Sequence, residues 1–315
     1  MAKNEVPEVD IIVDEQAGVI REVKPQPKLR SKRGHERRVN GTIYTVLTVM
    51  SIVWLVPFVF LILQSFRSYL TESGGMVDYL LPKAFSLDNY RWLLFDEKSN
   101  FLRWYLNTLI IALFCSALQT LMVLSVSYTL SRLRFKGRRF IMNVVLVLGM
   151  FPGFLTMITL YFLLKQLGLT QSGAIPGLIL IYVASSGMGY YISKGFFDTI
   201  PKSLDESARI DGATRLQVFY KIIMPLAKPI VIYTILMAFM APWGDYVFAS
   251  YVAFGSEPNF NVAVGLFRWV NVNDYQGYFT RFCAGGVLVA VPITALFMAL
   301  QKYYVEGVTG GAVKG

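Results

Sequence analysis

An all-α polytopic membrane protein is the fold class this sequence predicts, and three observations predict it. Of its 315 residues, 55% are hydrophobic and 16% charged, with a mean hydropathy of +0.49. Soluble domains do not combine such a balance with repeated apolar runs of about twenty residues. Six runs recur, at about 42–64, 104–130, 141–164, 174–194, 229–253 and 282–301. Each is long enough to cross a hydrocarbon core of about 30 Å at about 1.5 Å per residue. The net charge of +10 gathers between the runs, where the positive-inside rule places it, and needs no nucleic-acid partner.

Residues 1–41 read as a disordered cytoplasmic tail. The first twenty are mildly acidic and lack a periodic pattern, whereas Lys24, Lys28, Arg30, Lys32, Arg33, Arg37 and Arg38 make the rest basic. A basic stretch beside a first span holds it inside and suits contact with anionic lipid. No signal peptide is expected, because the charged region is too long and no small-residue cleavage site follows the run. The fourth run is diluted by Gly173, Gly177, Gly187 and Gly189, small residues that permit close helix packing. Pro57, Pro152, Pro176, Pro242 and Pro292 are placed to kink helices around a cavity, although prolines are common in spans.

The loops orient the chain. Arg132, Arg134, Lys136, Arg138 and Arg139 crowd the second, and Lys194, Lys202, Arg209, Arg215, Lys221 and Lys228 populate the fourth. The third offers little beyond Lys165, and the fifth only Arg268 and Arg281. Both termini are therefore expected inside, with 302–315 a cytoplasmic tail and the fourth loop facing the cytoplasm.

That fourth loop holds a polar interruption, 201–225. Ser203 with Glu206 is an S-x-x-E capping box, which predicts a helix starting at Ser203. Gly212 is a break, and a second short helix is expected from Thr214 to Met224, ahead of Pro225. Leu216, Phe219, Ile222 and Ile223 give the second helix an apolar stripe. Two readings stand side by side. In one, the stretch is a connector on the membrane surface and Glu206 serves its own cap. In the other, a short exposed helix offers its tip to a groove on a cytoplasmic partner.

Asp245 lies between Trp243 and Tyr246 near the end of the fifth run. A carboxylate at membrane depth is a functional-site candidate, and with aromatic rings it suits sugar hydroxyls and C–H faces. The plain alternative is a marker of the span's outer end, with interfacial aromatics. The fifth loop, 254–281, is rich in asparagine and aromatics, among them Asn259, Phe267, Trp269 and Tyr275. Cys115 and Cys283 fall within apolar runs, and His35 is the sole histidine, so neither a structural disulfide nor a metal site is expected. G-x-x-x-x-G-K-[ST], H-E-x-x-H, C-x-x-C and G-x-S-x-G are all missing, so no catalytic role and no bound cofactor are expected.

Glu206-Ser207-Ala208, Asp211-Gly212-Ala213 and Ile222-Ile223-Met224-Pro225 resemble the EAA loop of binding-protein-dependent ABC importers, whose pattern is E-A-A, three residues, G, then I-x-L-P. Ser207 replaces the first Ala and Met224 the Leu. Asn89-Tyr90, Trp104 to Thr108, the run Tyr128 to Gly137 with its Y-x-x-x-R-x-x-F-x-G pattern, Met150-Phe151-Pro152 and Leu167-Gly168-Leu169 are similar to the sugar-importing branch. Trp243-Gly244-Asp245-Tyr246 resembles W-N-[DE]-F, and the end from Glu306 to Gly315 is similar to the maltose-type (MalG-type) subunit. The resemblance covers about 42–315 and implies a type I ABC importer permease with six spans, N-in/C-in, in a bacterial cytoplasmic membrane.

It further implies that Glu206, Ser207, Ala208, Asp211, Gly212, Ala213 and Pro225 form a coupling helix and loop docked on an ATPase. Trp243, Asp245 and Tyr246 would face the translocation path, and Asn259, Phe267, Trp269 and Tyr275 an extracytoplasmic sugar-binding protein. The implied partners are a second permease subunit and two ATPase copies, which hold the ATP and Mg. The tail from Gly307 to Gly315 would reach into the ATPase dimer. The alternative class is an ion- or proton-coupled secondary transporter, which would need buried ionisable groups in several spans and an inverted repeat. Asp245 is the one good candidate and no repeat is visible. Maltodextrin, another oligosaccharide, and an amino-sugar or uronate relative remain open as substrate.

Overall fold

The computed structural model describes residues 11–14, 19–22, 32–68, 81–150, 153–273 and 275–312. The chain divides into two compact units, Met1–Phe58 and Val59–Gly315.

In the first unit, β1 (Ile11–Asp14) pairs antiparallel with β2 (Val19–Glu22), Ile11 opposite Glu22 and Asp14 opposite Val19. This ribbon lies within the segment 1–41 that the sequence reads as a disordered cytoplasmic tail. The overall polarity of the segment hid two short β-branched runs, Ile11-Ile12-Val13 and Val19-Ile20, which suit a pleated ribbon. Helix α1 (Lys32–Ser65) begins inside the basic stretch. From Ile43 to Phe58 its large apolar side chains are exposed on every face, the pattern of a helix whose solvent is lipid.

The second unit is built around α3 (Phe101–Arg132). Ahead of it, α2 (Asp88–Phe95) is anchored by fully buried Asn89. The Asn89 amide donates to the carbonyls of Ser65 (3.1 Å) and Arg67 (2.8 Å) and accepts from Thr280 Oγ1 (3.1 Å). After α3 come α4 (Arg138–Gly149), α5 (Gly153–Gln166), α6 (Ala174–Ala184), α7 (Gly187–Thr199) and α8 (Ser203–Ile210). They are followed by α9 (Arg215–Leu226), α10 (Lys228–Gly244), α11 (Val247–Val252), α12 (Val262–Arg268) and α13 (Tyr275–Ala312). Helix α3 packs on α6, α7 and α10, and α10 also packs on α13.

Two apolar clusters sit at opposite ends of α3. One joins Phe101, Trp104 and Ile111 to Trp243, Phe260 and Trp269; the other joins Leu124 to Phe197, Ala208, Val218 and Ile223.

Among the described residues three helices are long and apolar enough to cross a membrane: Val39–Ser65, Phe101–Arg132 and Tyr278–Tyr303. Two bent pairs, Leu155–Gln166 with Gln171–Ala184 at 104° and Arg215–Leu226 with Lys228–Gly244 at 84°, bring the count to five if each pair is one span. Three of the six expected runs are therefore interrupted. Run 141–164 breaks between α4 and α5, where Gly149, Pro152 and Gly153 are poor helix formers and Pro152 has no N–H to donate. Run 174–194 breaks at Ser185-Ser186, ahead of Gly187 and Gly189. Run 229–253 breaks at Asp245, whose backbone is extended.

Candidate functional site

Helix α8 starts at Ser203 as its spacing predicts, but the capping box does not form. Lys202 occupies the cap position, and no side chain caps the helix. The Glu206 carboxylate is thus free of that duty: the residue is exposed and makes no ion pair among the described residues. The reciprocal cap appears one helix later, where Thr214 Oγ1 accepts from Gln217 N (3.3 Å) and Thr214 N donates to Gln217 Oε1 (2.7 Å). Sequence spacing fits both sites equally well, and the backbone entering each helix decides between them.

Gly212 turns the chain with φ +84°, a conformation L side chains resist. The hairpin is closed by Ala213 N donating to the Ala208 carbonyl (2.9 Å). Ala208 is buried, Ala213 half-buried, and Ser207, Asp211 and Pro225 are exposed. Helix α9 contains a wider π turn, Val218–Ile223. This turn splits the expected apolar stripe: Ile223 is buried, Phe219 and Ile222 are half-buried, and Leu216 stays 71% exposed. Ile210, on the other side of the Gly212 turn, is 86% exposed.

The base of this hairpin is tied to α3 by a polar network that spacing alone did not single out. Arg132, the last residue of α3, has a side chain only 4% exposed. Its Nη2 donates to the Ile200 carbonyl (2.9 Å), and its Nε lies 3.1 Å from Asp205 Oδ2. That last contact is an ion pair without hydrogen-bond alignment, and Arg132 Nη1 and Asp205 Oδ1 have no hydrogen-bond partner. Next to it, Ser131 Oγ donates to Asp198 Oδ1 (2.6 Å) and Lys194 Nζ to Asp198 Oδ2 (2.5 Å). Burial pushes the Asp205 carboxyl above the usual carboxylate range, against the pull of Arg132. Burial opposes ionisation of Asp198 too, but the hydrogen bonds from Lys194 and Ser131 hold its carboxyl below that range. The visible signal for this network was the cluster of charges directly after the second apolar run.

At the other end of the second unit the predicted site residues are brought together, with unequal roles. Asp245 Oδ2 accepts from Tyr182 Oη (2.5 Å) and Oδ1 from Phe248 N (3.0 Å), while its carbonyl accepts from Asn261 Nδ2 (2.7 Å). Both carboxylate oxygens are committed to joining α6, α10 and α11. Trp243 is buried and its Nε1 lacks a partner. Tyr246 is half-buried, its ring centroid 3.9 Å from that of Phe267. These two rings line a cavity of about 330 Å³ with Ser250, Phe254, Phe260 and Arg268.

Trp269 departs from the expected outward contact. It is 6% exposed and packed among Trp104, Phe101, Trp92 and Tyr278. So large an aromatic surface is stabilised by burial. Asn259 is half-buried and donates to Ser256 Oγ (2.7 Å). Tyr275 starts α13, and its side chain lies outside the described residues, as do those of the Gly307–Ala312 part of the tail and all of 313–315.

The segment that carries these residues is held on α3 by groups that spacing did not reveal. Asn107 Nδ2 donates to the carbonyls of Pro258 and Phe260 (2.9 Å each), Trp104 Nε1 to that of Glu257 (2.9 Å), and Val262 N to Thr108 Oγ1 (2.7 Å). Among the described residues no three His, Cys, Asp or Glu side chains gather as a metal site.

The family described as the binding-protein-dependent transport system inner membrane component matches residues 122–310. The galactooligosaccharides transport system permease protein GanQ of Bacillus subtilis is 36% identical over 275 residues, covering 86% of this chain and 94% of its own length. The maltodextrin transport system permease protein MdxG of the same organism is 37% identical over 273 residues, covering 86% and 95%. In three dimensions the chain is similar to a subunit of a bacterial ABC transporter that imports alginate, with TM-score 0.70 and 24% identity over 89% of this chain and 100% of that one. These matches set aside the secondary-transporter alternative. The chain belongs to the multi-pass cytoplasmic-membrane permease subunits, of type I fold, of bacterial carbohydrate ABC importers, transport proteins whose ATP hydrolysis lies in separate subunits.

Proposed function

We propose that this chain forms half of the translocation pathway of an ATP-driven oligosaccharide importer and receives the ATPase stroke through α8. The observation that carries the reading is the tip of the α8–α9 hairpin. There Glu206 is exposed and makes no ion pair among the described residues, and Ile210, four residues on along α8, and Leu216 at the start of α9 are large apolar side chains left 86% and 71% exposed. Apolar anchors beside a charged group are what a helix-in-groove contact uses. The partner would be one of two ATPase copies, holding the ATP and Mg, since the chain carries no phosphate loop of its own.

A second permease subunit would complete the pathway, with six spans and both termini inside. An extracytoplasmic binding protein would deliver the sugar to the 254–281 segment, through Asn259, Phe267 and Tyr275. With Asp245 bound up in structure, the pathway contact narrows to Tyr246 and Phe267 on the 330 Å³ cavity. A maltodextrin-like oligosaccharide fits the names of the relatives, which handle galactooligosaccharides and maltodextrin. Coupling then resides in the difference in affinity of the docked α8 for the two ATPase states.

The test is ATPase activity of the reconstituted complex, with and without sugar-loaded binding protein, for wild type and Glu206→Ala. Loss of most of the stimulation, with assembly intact, is expected, because breaking a partly buried charge pair costs on the order of 3–5 kcal/mol. Unchanged stimulation and uptake would sink the docking role of Glu206. Uptake driven by a sodium or proton gradient without ATP would sink the importer mechanism.

A further inference from the structure

A groove of about 410 Å³ lies between the end of α3, the start of α4 and the α8–α9 hairpin. Arg132, Arg134, Arg138, Lys202, Arg209 and Arg215 line it. Against these six cations stand two carboxylates, Asp205 and Glu206. Among the described residues the only ion pair inside the groove is Arg132 with Asp205. None of the other five basic groups makes an ion pair among the described residues, although Arg138 and Lys202 act at longer range on Asp198 and Asp205.

Arg132 adds an independent observation. Its side chain is only 4% exposed, it forms part of the groove wall, and its Nη1 has no acceptor. A buried guanidinium N–H without an acceptor is destabilising unless a ligand supplies one. We propose that this groove is a phosphoryl-anion site, taking a phosphate monoester or diester whose oxygens bridge Arg132 to Arg138, Arg209 and Arg215.

The chemistry selects phosphate over a single carboxylate. Several converging guanidinium groups present planar, paired donors, which match a tetrahedral oxyanion of high charge. The volume exceeds one phosphate and falls at the lower end of ligand pockets, so the anion carries a substituent. The surroundings favour a lipid headgroup as its source. Arg138 opens α4, along which Phe140, Ile141, Val147 and Leu148 are exposed, a track for an acyl chain running from the groove. A soluble phosphate ester presents the same anion without the chain.

The experiment uses the assembled complex in two arms. Native mass spectrometry follows retention of phosphatidylglycerol against phosphatidylcholine. Equilibrium dialysis follows radiolabelled inorganic pyrophosphate with the ATPase sites filled by a non-hydrolysable ATP analogue. Each arm compares wild type with Arg138→Gln/Arg215→Gln and with Lys202→Gln, half-exposed or exposed positions whose loss spares the packed interior. Lys221→Gln, on the same loop but outside the groove, removes an equal charge as a control.

Expected is a loss of about tenfold in affinity for at least one probe in the double variant, the worth of one charge-assisted contact, with Lys221→Gln unchanged. Weakening in the lipid arm alone assigns a headgroup, and weakening in the pyrophosphate arm a soluble ester. Equal weakening by Lys221→Gln, or no weakening in either arm, overturns the site. Glu206 also lines the groove, so Glu206→Ala is kept out of both arms; its ATPase readout tests docking, and these two arms test the anion.

Discussion

Arg132 joins three elements with one guanidinium, so its loss and the loss of its partner are expected to differ. Arg132→Ala leaves the Ile200 carbonyl and the Asp205 carboxylate without their cation. Breaking such a pair from one side costs on the order of 3–5 kcal/mol where both groups are buried, and Asp205 is 16% exposed. Asp205→Asn leaves Arg132 without its anion but removes a charge that burial already disfavours, and is expected to cost less than Arg132→Ala; equal melting-point losses for the two would refute this asymmetry. The two acids also differ in sign with pH. Asp198, held below the ordinary range, contributes stability that is present above its unfolded value and lost as pH falls through its lower folded value. Asp205, held above the range, contributes most in its protonated form, and that contribution is lost as pH rises through its folded value. Thermal melts of wild type and Asp198→Asn across mildly to strongly acidic pH check the first: the variant should lose less stability on acidification.

Helix α12 and the turn before it hold their place on α3 by two devices of different kinds. Gly265 lets α12 lie against Trp104, since a Cβ there would meet Trp104 Cε3 at 1.9 Å. Gly265→Ala is therefore expected to cost about 1–3 kcal/mol through overpacking, read as a lower melting point of the purified complex. Asn107 holds the turn through the Pro258 and Phe260 carbonyls. Asn107→Leu strands both, at about 1–3 kcal/mol for buried acceptors, and amide exchange should quicken at Val262 and Val264 while α7 keeps its protection. Exchange unchanged at both amides would mean that Thr108 and Trp104 hold the turn without Asn107. Neither device is written in spacing. Asn107 and Thr108 stand in the sequence as a motif, but their partners lie 151 to 154 residues further on.

Across the whole chain, what was legible is what repeats over a full span or is set by neighbours. The continuous run behind α3 and the all-round apolar face of α1 could be read directly, because lipid imposes length and composition. The Gly212 turn was legible for the same local reason, since glycine takes φ +84° without a steric penalty. The breaks at Ser185-Ser186 and Asp245 were not, because a run's hydropathy averages over them and tertiary partners such as Tyr182 secure the second. The partner of Asp245 is equally out of reach of spacing, 63 residues away. Sidedness is a property of the whole molecule, and it joins α8 to an ATPase only if the fourth loop is inside. Cys115 and Cys283 are 0% and 2% exposed, so a membrane-impermeant maleimide should ignore the wild type. In right-side-out vesicles Lys98→Cys, exposed ahead of α3, is expected to react at once. Ser207→Cys, exposed on α8, should react only after permeabilisation. Labelling of Ser207→Cys in sealed vesicles would put Glu206 on the wrong face of the membrane for any cytoplasmic ATPase.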